Sequence, residues 1–261
     1  MPLSGNQTEA LARYLDQALC DAREVDRLTT TQPDLSLPDS YRVQDAGIRF
    51  RLTRGERQIG LKMGLTSEAK RKQMNLSSPI YGVLTDRMQV EEGSTFSLQG
   101  KIHPKIEPEV AFLVAKDLRG RPNAQEALAA CSGICAAMEI LDSRYTGFKY
   151  FSLPDVVADN SSSAYFVLGR NWVSPRDCDG SDLEMVMEVN GKPVQSALSS
   201  AISGNPIHSL VLLCGLLEER GLYLPAGSIV LAGAATEAVK LEPGMEVRLK
   251  VQTLGDVRIR I

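Results

Sequence analysis

The chain has 261 residues, 43% hydrophobic and 23% charged, an ordinary balance for a globular protein and enough length for a sizeable core. A formal charge of −3 with no dense basic block excludes general nucleic-acid binding, and no apolar run approaches the roughly 20 residues of a membrane span. The N-terminus lacks a charged-then-apolar leader, so a cytoplasmic protein is expected, and five scattered cysteines (Cys20, Cys131, Cys135, Cys178, Cys214) suit reduced thiols. Cys131 and Cys135 have no second cysteine or histidine pair nearby and read as buried small hydrophobes rather than zinc ligands.

In chain order, residues 6–28 read as an amphipathic helix, with Leu11, Leu15, Ala18, Leu19 and Ala22 at helical spacing. Pro33 and Pro38 punctuate a loop, and Asp39 or Ser40 caps a second helix that ends at Gly55. These helices form a lobe over residues 1–57, with a β-rich catalytic domain expected over 58–261. Residues 58–64 alternate as a strand, Ile59, Leu61 and Met63 on one face and Lys62 on the other between Gly60 and Gly64. The glycines leave room for a ligand or another backbone beside the ammonium; the alternative is a surface lysine on an edge strand. Thr66 or Ser67 caps a short helix through Gln73. Strands follow over 79–84, 105–114 and 135–141, with a helix from Ala124 to about Ala130. Residues 142–145 and 157–163 are polar loop clusters. Later, Asn190-Gly191 marks a hairpin and Asn205-Pro206 opens a helix that Gly221 closes. The last strands span 228–232, 246–253 and 257–261, and Ala232-Gly233 brings bare backbone to a ligand. The class is α+β.

The chemistry gathers on acids in strands. Glu107 and Glu109 are two apart, so they share a strand face, roughly 6.5 Å apart. Ala111 and Leu113 continue that face. Carboxylates on an apolar face are costly unless neutralised. The pair therefore reads either as a metal site or as a solvated edge strand. Glu139 sits in the apolar run 135–141 and is the natural third ligand; the alternative is a salt bridge to Arg144 or a lysine. Three carboxylates suit a hard cation, Mg²⁺ or Mn²⁺, and two histidines make zinc a poor fit. No nucleophile elbow, P-loop or dinucleotide fingerprint is present. The residues point to a Mg²⁺-dependent enzyme acting on a chelating oxygen substrate such as a 2-oxo acid, with a non-catalytic binding protein as the other class.

Four ordered motifs are Gly60-Leu61-Lys62-Met63-Gly64-Leu65-Thr66-Ser67, His103-Pro104-Lys105-Ile106-Glu107-Pro108-Glu109, Met138-Glu139-Ile140-Leu141-Asp142-Ser143-Arg144-Tyr145 and Val156-Val157-Ala158-Asp159-Asn160-Ser161-Ser162. Together they resemble the hydratase/decarboxylase family of meta-cleavage pathways, within the fumarylacetoacetate hydrolase-like superfamily. The resemblance runs from about residue 10 to the C-terminus. It implies a mixed β-roll or sandwich with an N-terminal helical lobe, and a metal held by Glu107, Glu109 and Glu139. It has two branches, 4-oxalocrotonate (2-oxo-3-hexenedioate) decarboxylases and 2-hydroxypentadienoate (2-oxopent-4-enoate) hydratases. The wording around Lys62 and Pro79-Ile80-Tyr81-Gly82 is similar to the decarboxylase branch, since hydratases tend to carry an acid where Ile80 stands. The resemblance implies Lys62 as catalytic group, Ile80 as an apolar wall against the substrate, Ser162 and Gly233 at the C1 carboxylate, and Lys149 at the far carboxylate. It also implies a homo-oligomer and a complex with the pathway hydratase. Gly204-Asn205-Pro206 stands where Gly-His-Pro is common, and Ala232 replaces a usual threonine.

Overall fold

The computed structural model describes residues 2–66, 79–148 and 152–261. In chain order the described elements are helices α1 (Gly5–Cys20), α2 (Leu28–Thr31) and α3 (Leu37–Thr53), then strands β1 (Gln58–Gly64), β2 (Ile80–Thr85), β3 (Gln89–Val90) and β4 (Lys105–Val114). Helix α4 (Ala124–Ala129), strand β5 (Cys131–Leu141), helix α5 (Leu153–Ala158) and strands β6 (Ser163–Leu168), β7 (Glu184–Val189) and β8 (Lys192–Leu198) follow. The chain closes with α6 (Pro206–Glu218), β9 (Ile229–Leu231), β10 (Val239–Lys240), β11 (Glu246–Val251) and β12 (Gly255–Arg260).

The N-terminal helices start on side-chain caps. Ser4 and Gln7 form a reciprocal capping box on α1. That helix stops at Cys20, well short of the expected residue 28, because the chain is recruited into tertiary pairing. The Val25 N–H donates to the Arg144 carbonyl at 2.9 Å and the Val25 carbonyl accepts from Thr146 at 3.1 Å. Helix α3 is capped by Ser36, not by Asp39 or Ser40, with Pro38 inside its first turn where no N–H is needed. Asp39 instead accepts from the Leu3 N–H and binds Arg42, which ties down the N-terminus.

Two sheets carry the rest. The larger runs β2-β1-β9-β4-β5-β6-β3, with β10 also on β4; the smaller runs β12-β11-β7-β8. Even-numbered residues of β4 and β5, among them Ile106, Val110, Ile134 and Met138, share a core with Val247, Leu249 and Ile259 of the smaller sheet. Their opposite face buries a separate cluster that includes Ala111, Cys135, Ala137, Phe166 and Leu231. Strand β4 therefore lies inside the sheet between β9 and β5, and both its faces are covered. That excludes the solvated edge strand.

Several local expectations change. Ile59 does not share a face with Leu61 and Met63. A register shift between Gln58 and Gly60 turns it to the second cluster. Gly60 is required by another backbone: a Cβ there would lie 2.0 Å from the Ile229 carbonyl oxygen. Strands β3, β6 and β10 and helix α5 have no counterpart among the expected elements. The helix expected through Gln73 falls on residues 67–78, outside the described residues. All five cysteines are free, and Cys131 and Cys135 lie on a strand. The segment Ser199–Glu218 is 20 residues long with a mean hydropathy of 1.4, so one run does reach membrane-span length. Its continuous helix, α6, has only 13 residues, and Leu210, Leu213 and Leu217 pack into the main core.

Candidate metal centre

Glu107 and Glu109 project from the same face of β4, and β5 brings Glu139 directly opposite Glu107 in antiparallel register. One carboxylate oxygen from each of the three residues lies within 4.8 Å of the others. Glu109 and Glu139 are fully buried and Glu107 is half-buried. The Gly233 N–H donates to Glu109 Oε2 at 2.8 Å, while Glu109 Oε1 is buried with no hydrogen-bond partner. Burial, then the neighbouring charges of Glu139 and Glu107, push the Glu109 carboxyl well above its ordinary range, against the pull of Lys62. A buried, orphaned oxygen in a cluster of like charges is what a hard divalent cation with oxygen ligands relieves. The donor set fits Mg²⁺ or Mn²⁺.

Strand β1 delivers the only ammonium bonded to this cluster among the described residues. Lys62 is 3% exposed, and its Nζ donates to Glu139 Oε2 at 3.1 Å. The salt bridge and the metal reading of Glu139 thus coexist. Space for the Lys62 stem comes from Gly82, its register partner on β2: a Cβ there would sit 3.2 Å from Lys62 Cε. Ile80 is paired with Gly64 and fills the space over it: a Cβ at Gly64 would lie 3.1 Å from Ile80 Cγ1 and 3.9 Å from Lys62 Nζ. The fully buried Ile80 thus lies beside the ammonium.

The polar loops at the ends of β5 and α5 meet. Arg144 forms a buried ion pair with Asp159, which also accepts from Ser143 Oγ at 3.2 Å and the Arg144 N–H at 3.1 Å. Burial pushes the Asp159 carboxyl up to about 6, and the Arg144 guanidinium opposes that rise. Asn160, Ser161 and Ser162 all take positive φ (49°, 53° and 57°). Asn160 holds both backbone groups of Val83, and Ser161 donates to the Tyr81 carbonyl at 2.8 Å. This turn clamps β2 against β6 and leads into Ser163.

Ser162 is buried, and its carbonyl accepts from the Asp142 N–H. Its neighbour Ser163, which the sequence reading placed in the polar cluster 157–163 without giving it a role, is the serine on the acids: Ser163 Oγ donates to Glu139 Oε1 at 2.7 Å. The serine run offers no means to choose between them, since the register of β6 on β5 selects the one that faces Glu139. Gly233 has a φ of 108° and packs on Thr66, whose Oγ1 would lie 2.5 Å from a Cβ. Its N–H is already engaged by Glu109. Lys149 lies outside the described residues. His103 is half-buried, with Nε2 2.5 Å from Glu24 Oε1.

The chain matches the family described as fumarylacetoacetate (FAA) hydrolase C-terminal over residues 50–261. It is 46% identical over 247 residues to a 4-oxalocrotonate decarboxylase of a Pseudomonas species, with 95% of each chain covered. It is 34% identical to a 2-hydroxyhexa-2,4-dienoate hydratase of Comamonas testosteroni, covering 97% of this chain and 96% of that one. The structure of 4-oxalocrotonate decarboxylase from Pseudomonas putida G7, complexed with magnesium and adipate, superimposes with a TM-score of 0.95 at 37% identity, over 99% of this chain and 98% of that one. With its two packed sheets and strand-borne carboxylates, the chain belongs to the fumarylacetoacetate hydrolase C-terminal family.

Proposed function

We propose that the chain decarboxylates 2-oxo-3-hexenedioate (4-oxalocrotonate) to 2-hydroxypenta-2,4-dienoate and CO₂ in meta-cleavage degradation of aromatic compounds, with Mg²⁺ as cofactor. The observation that carries this reading is the convergence of three carboxylates, the Lys62 ammonium and the apolar Ile80 at one buried place. Likeness to the Pseudomonas decarboxylases supports the choice of substrate. When held by Glu107, Glu109 and Glu139, the cation supplies a Lewis acid for the oxygens of a 2-oxo acid.

The residues of the chain do the rest. The far carboxylate leaves as CO₂, and the electrons of the broken C5–C6 bond move through the conjugated chain to the 2-oxo oxygen. Lys62 presents a fixed, desolvated positive charge to that developing negative charge, and its ammonium carries the proton the enolate oxygen takes. Ser163 and Lys62 hold the two oxygens of Glu139 in place. Gly233 holds Glu109 through its N–H, so any share it has in binding the C1 carboxylate is indirect. Ser162 is assigned to that carboxylate. Ile80 excludes water beside Lys62, and water is the nucleophile a hydratase would need.

Mixing the protein with 2-oxo-3-hexenedioate and Mg²⁺ should release CO₂ or bicarbonate and form the dienol, and EDTA should stop both. Conversion of 2-hydroxypentadienoate to a 4-hydroxy-2-oxo acid by the protein alone, with no CO₂ from the diacid, would replace this reading with a hydratase. Biological activity intact in Lys62→Met would instead favour a non-catalytic binding role. Self-association and a complex with the pathway hydratase belong to the same proposal. The outer strand β8 exposes Val194 and Leu198, apolar surface for such a contact. Native mass measurement with and without the hydratase tests it.

A further inference from the structure

Lys105 occupies a position that the activity above does not yet use. It shares the face of β4 that carries Glu107 and Glu109, one strand repeat before Glu107, and the β4–β5 register is regular from Lys105 to Glu109. Its Cα is therefore roughly 6.5 Å from that of the first acid. The side chain is half-buried, and Nζ lies 4.2 Å from the centroid of the Phe148 ring. Among the described residues no carboxylate pairs with it, and no further interaction of Lys105 falls outside those described. The two positions in register with it offer no anion. Leu141 stands opposite on β5, and on β10 the opposite residue is Lys240, which pairs with Glu242 at 3.3 Å. Two lysines directly opposed in a sheet repel, and an anion between or beside them removes the cost. An aromatic face attracts the ammonium but does not neutralise it.

We propose that Lys105 recognises the far carboxylate of the substrate, with the ring of Phe148 as its platform. The inference rests on the reading of the site as one for a 2-oxo dicarboxylate. An extended six-carbon diacid separates its carboxyl groups by about the length of one strand repeat, roughly 6.5 Å. A substrate seated by its 2-oxo end at Glu107, Glu109 and Glu139 thus directs its other end toward Lys105. An ammonium on the departing carboxylate favours the bound acid over the dispersed charge that follows, so Lys105 serves selection of dicarboxylates rather than bond breaking. The expected kinetic signature is a raised KM with kcat undiminished when the charge is removed.

Calorimetric titration of the Mg²⁺-loaded protein with adipate and, separately, with hexanoate tests the proposal without turnover. The native protein should bind adipate more tightly than hexanoate. Lys105→Met should weaken adipate binding by about 10- to 100-fold, the range for losing a hydrogen bond to a charged group, and leave hexanoate unchanged. Lys105→Arg should keep the preference. Mg²⁺ affinity, measured on each variant, should stay at its native value because Lys105 is not a ligand of the cluster, and the melting temperature should not fall, since Lys105→Met relieves the repulsion from Lys240. A native protein that does not distinguish the two acids overturns the dicarboxylate reading, and this inference falls with it. A native preference that persists in full in Lys105→Met overturns the assignment of Lys105 alone.

Discussion

Replacing Gly82 by alanine adds a single methyl group at a crowded point beside Lys62. The new Cβ would lie 2.6 Å from the Asn160 carbonyl oxygen, 3.2 Å from Lys62 Cε and 3.3 Å from Asn160 Oδ1. Ordinary contact begins at 3.4 Å, so the overlap with the carbonyl is about 0.8 Å. Asn160 cannot easily yield, because its backbone has a φ of 49° and its amide is bonded to both Val83 groups at 2.8 and 3.0 Å. Lys62 is held from the other side by Glu139. Overpacking of this kind costs about 1–3 kcal/mol. For a chain of this size each kcal/mol lowers the melting temperature by roughly 2–4 °C. The displaced ammonium should lower kcat by about 10- to 100-fold, since catalytic groups lose that much when moved by fractions of an ångström to an ångström. The assay is calorimetric melting together with steady-state CO₂ release. Gly47→Ala is the control: it lies in α3 with nothing within 4 Å of its Cβ position, and it should stabilise by about 0.5–1 kcal/mol. Native stability and native kcat in Gly82→Ala would refute the packing of β2, Asn160 and Lys62 derived above.

Three further outcomes are expected. Glu109→Gln should abolish the rise in melting temperature on adding Mg²⁺ yet leave the metal-free protein no less stable, because it removes a buried charge that its neighbours already disfavour; melting with and without Mg²⁺ is the check. Ser163→Ala should weaken Mg²⁺ binding about 10-fold or more by freeing one oxygen of Glu139, as read by titration calorimetry. Asp159→Asn addresses pH. The folded Asp159 carboxyl sits at about 6, above the ordinary value of 3.8, so the folded chain holds this proton more tightly than the unfolded one. Its contribution to stability is therefore fullest below about pH 4 and is lost as pH rises through about 6, by on the order of 3 kcal/mol. Urea midpoints of native and variant proteins should diverge across that window and run parallel above it.

The sequence by itself determined whatever depends on neighbours a few residues away. The period of two puts Glu107 and Glu109 on one face, and that holds in β4. Asn190-Gly191 makes the hairpin of β7 and β8 because both residues accept positive φ, and Asn205-Pro206 starts α6 because the side chain caps and the proline needs no donor. The four motifs were sufficient to identify the family.

Tertiary structure decided what depends on residues far apart in the chain. Whether β4 was an edge turned on β9, a strand more than a hundred residues later. Lys62 and Glu139, 77 residues apart, meet only because β1, β9, β4 and β5 line up in one sheet. Ser163, not the adjacent Ser162, reaches Glu139 through the β5–β6 register, and a slip of one residue would exchange them. Helix α1 ends early because Val25 finds Arg144 and Thr146, partners that no local periodicity reveals. Backbone preferences are written within a turn or a strand repeat, whereas register and long-range partners follow from which distant apolar faces bury one another.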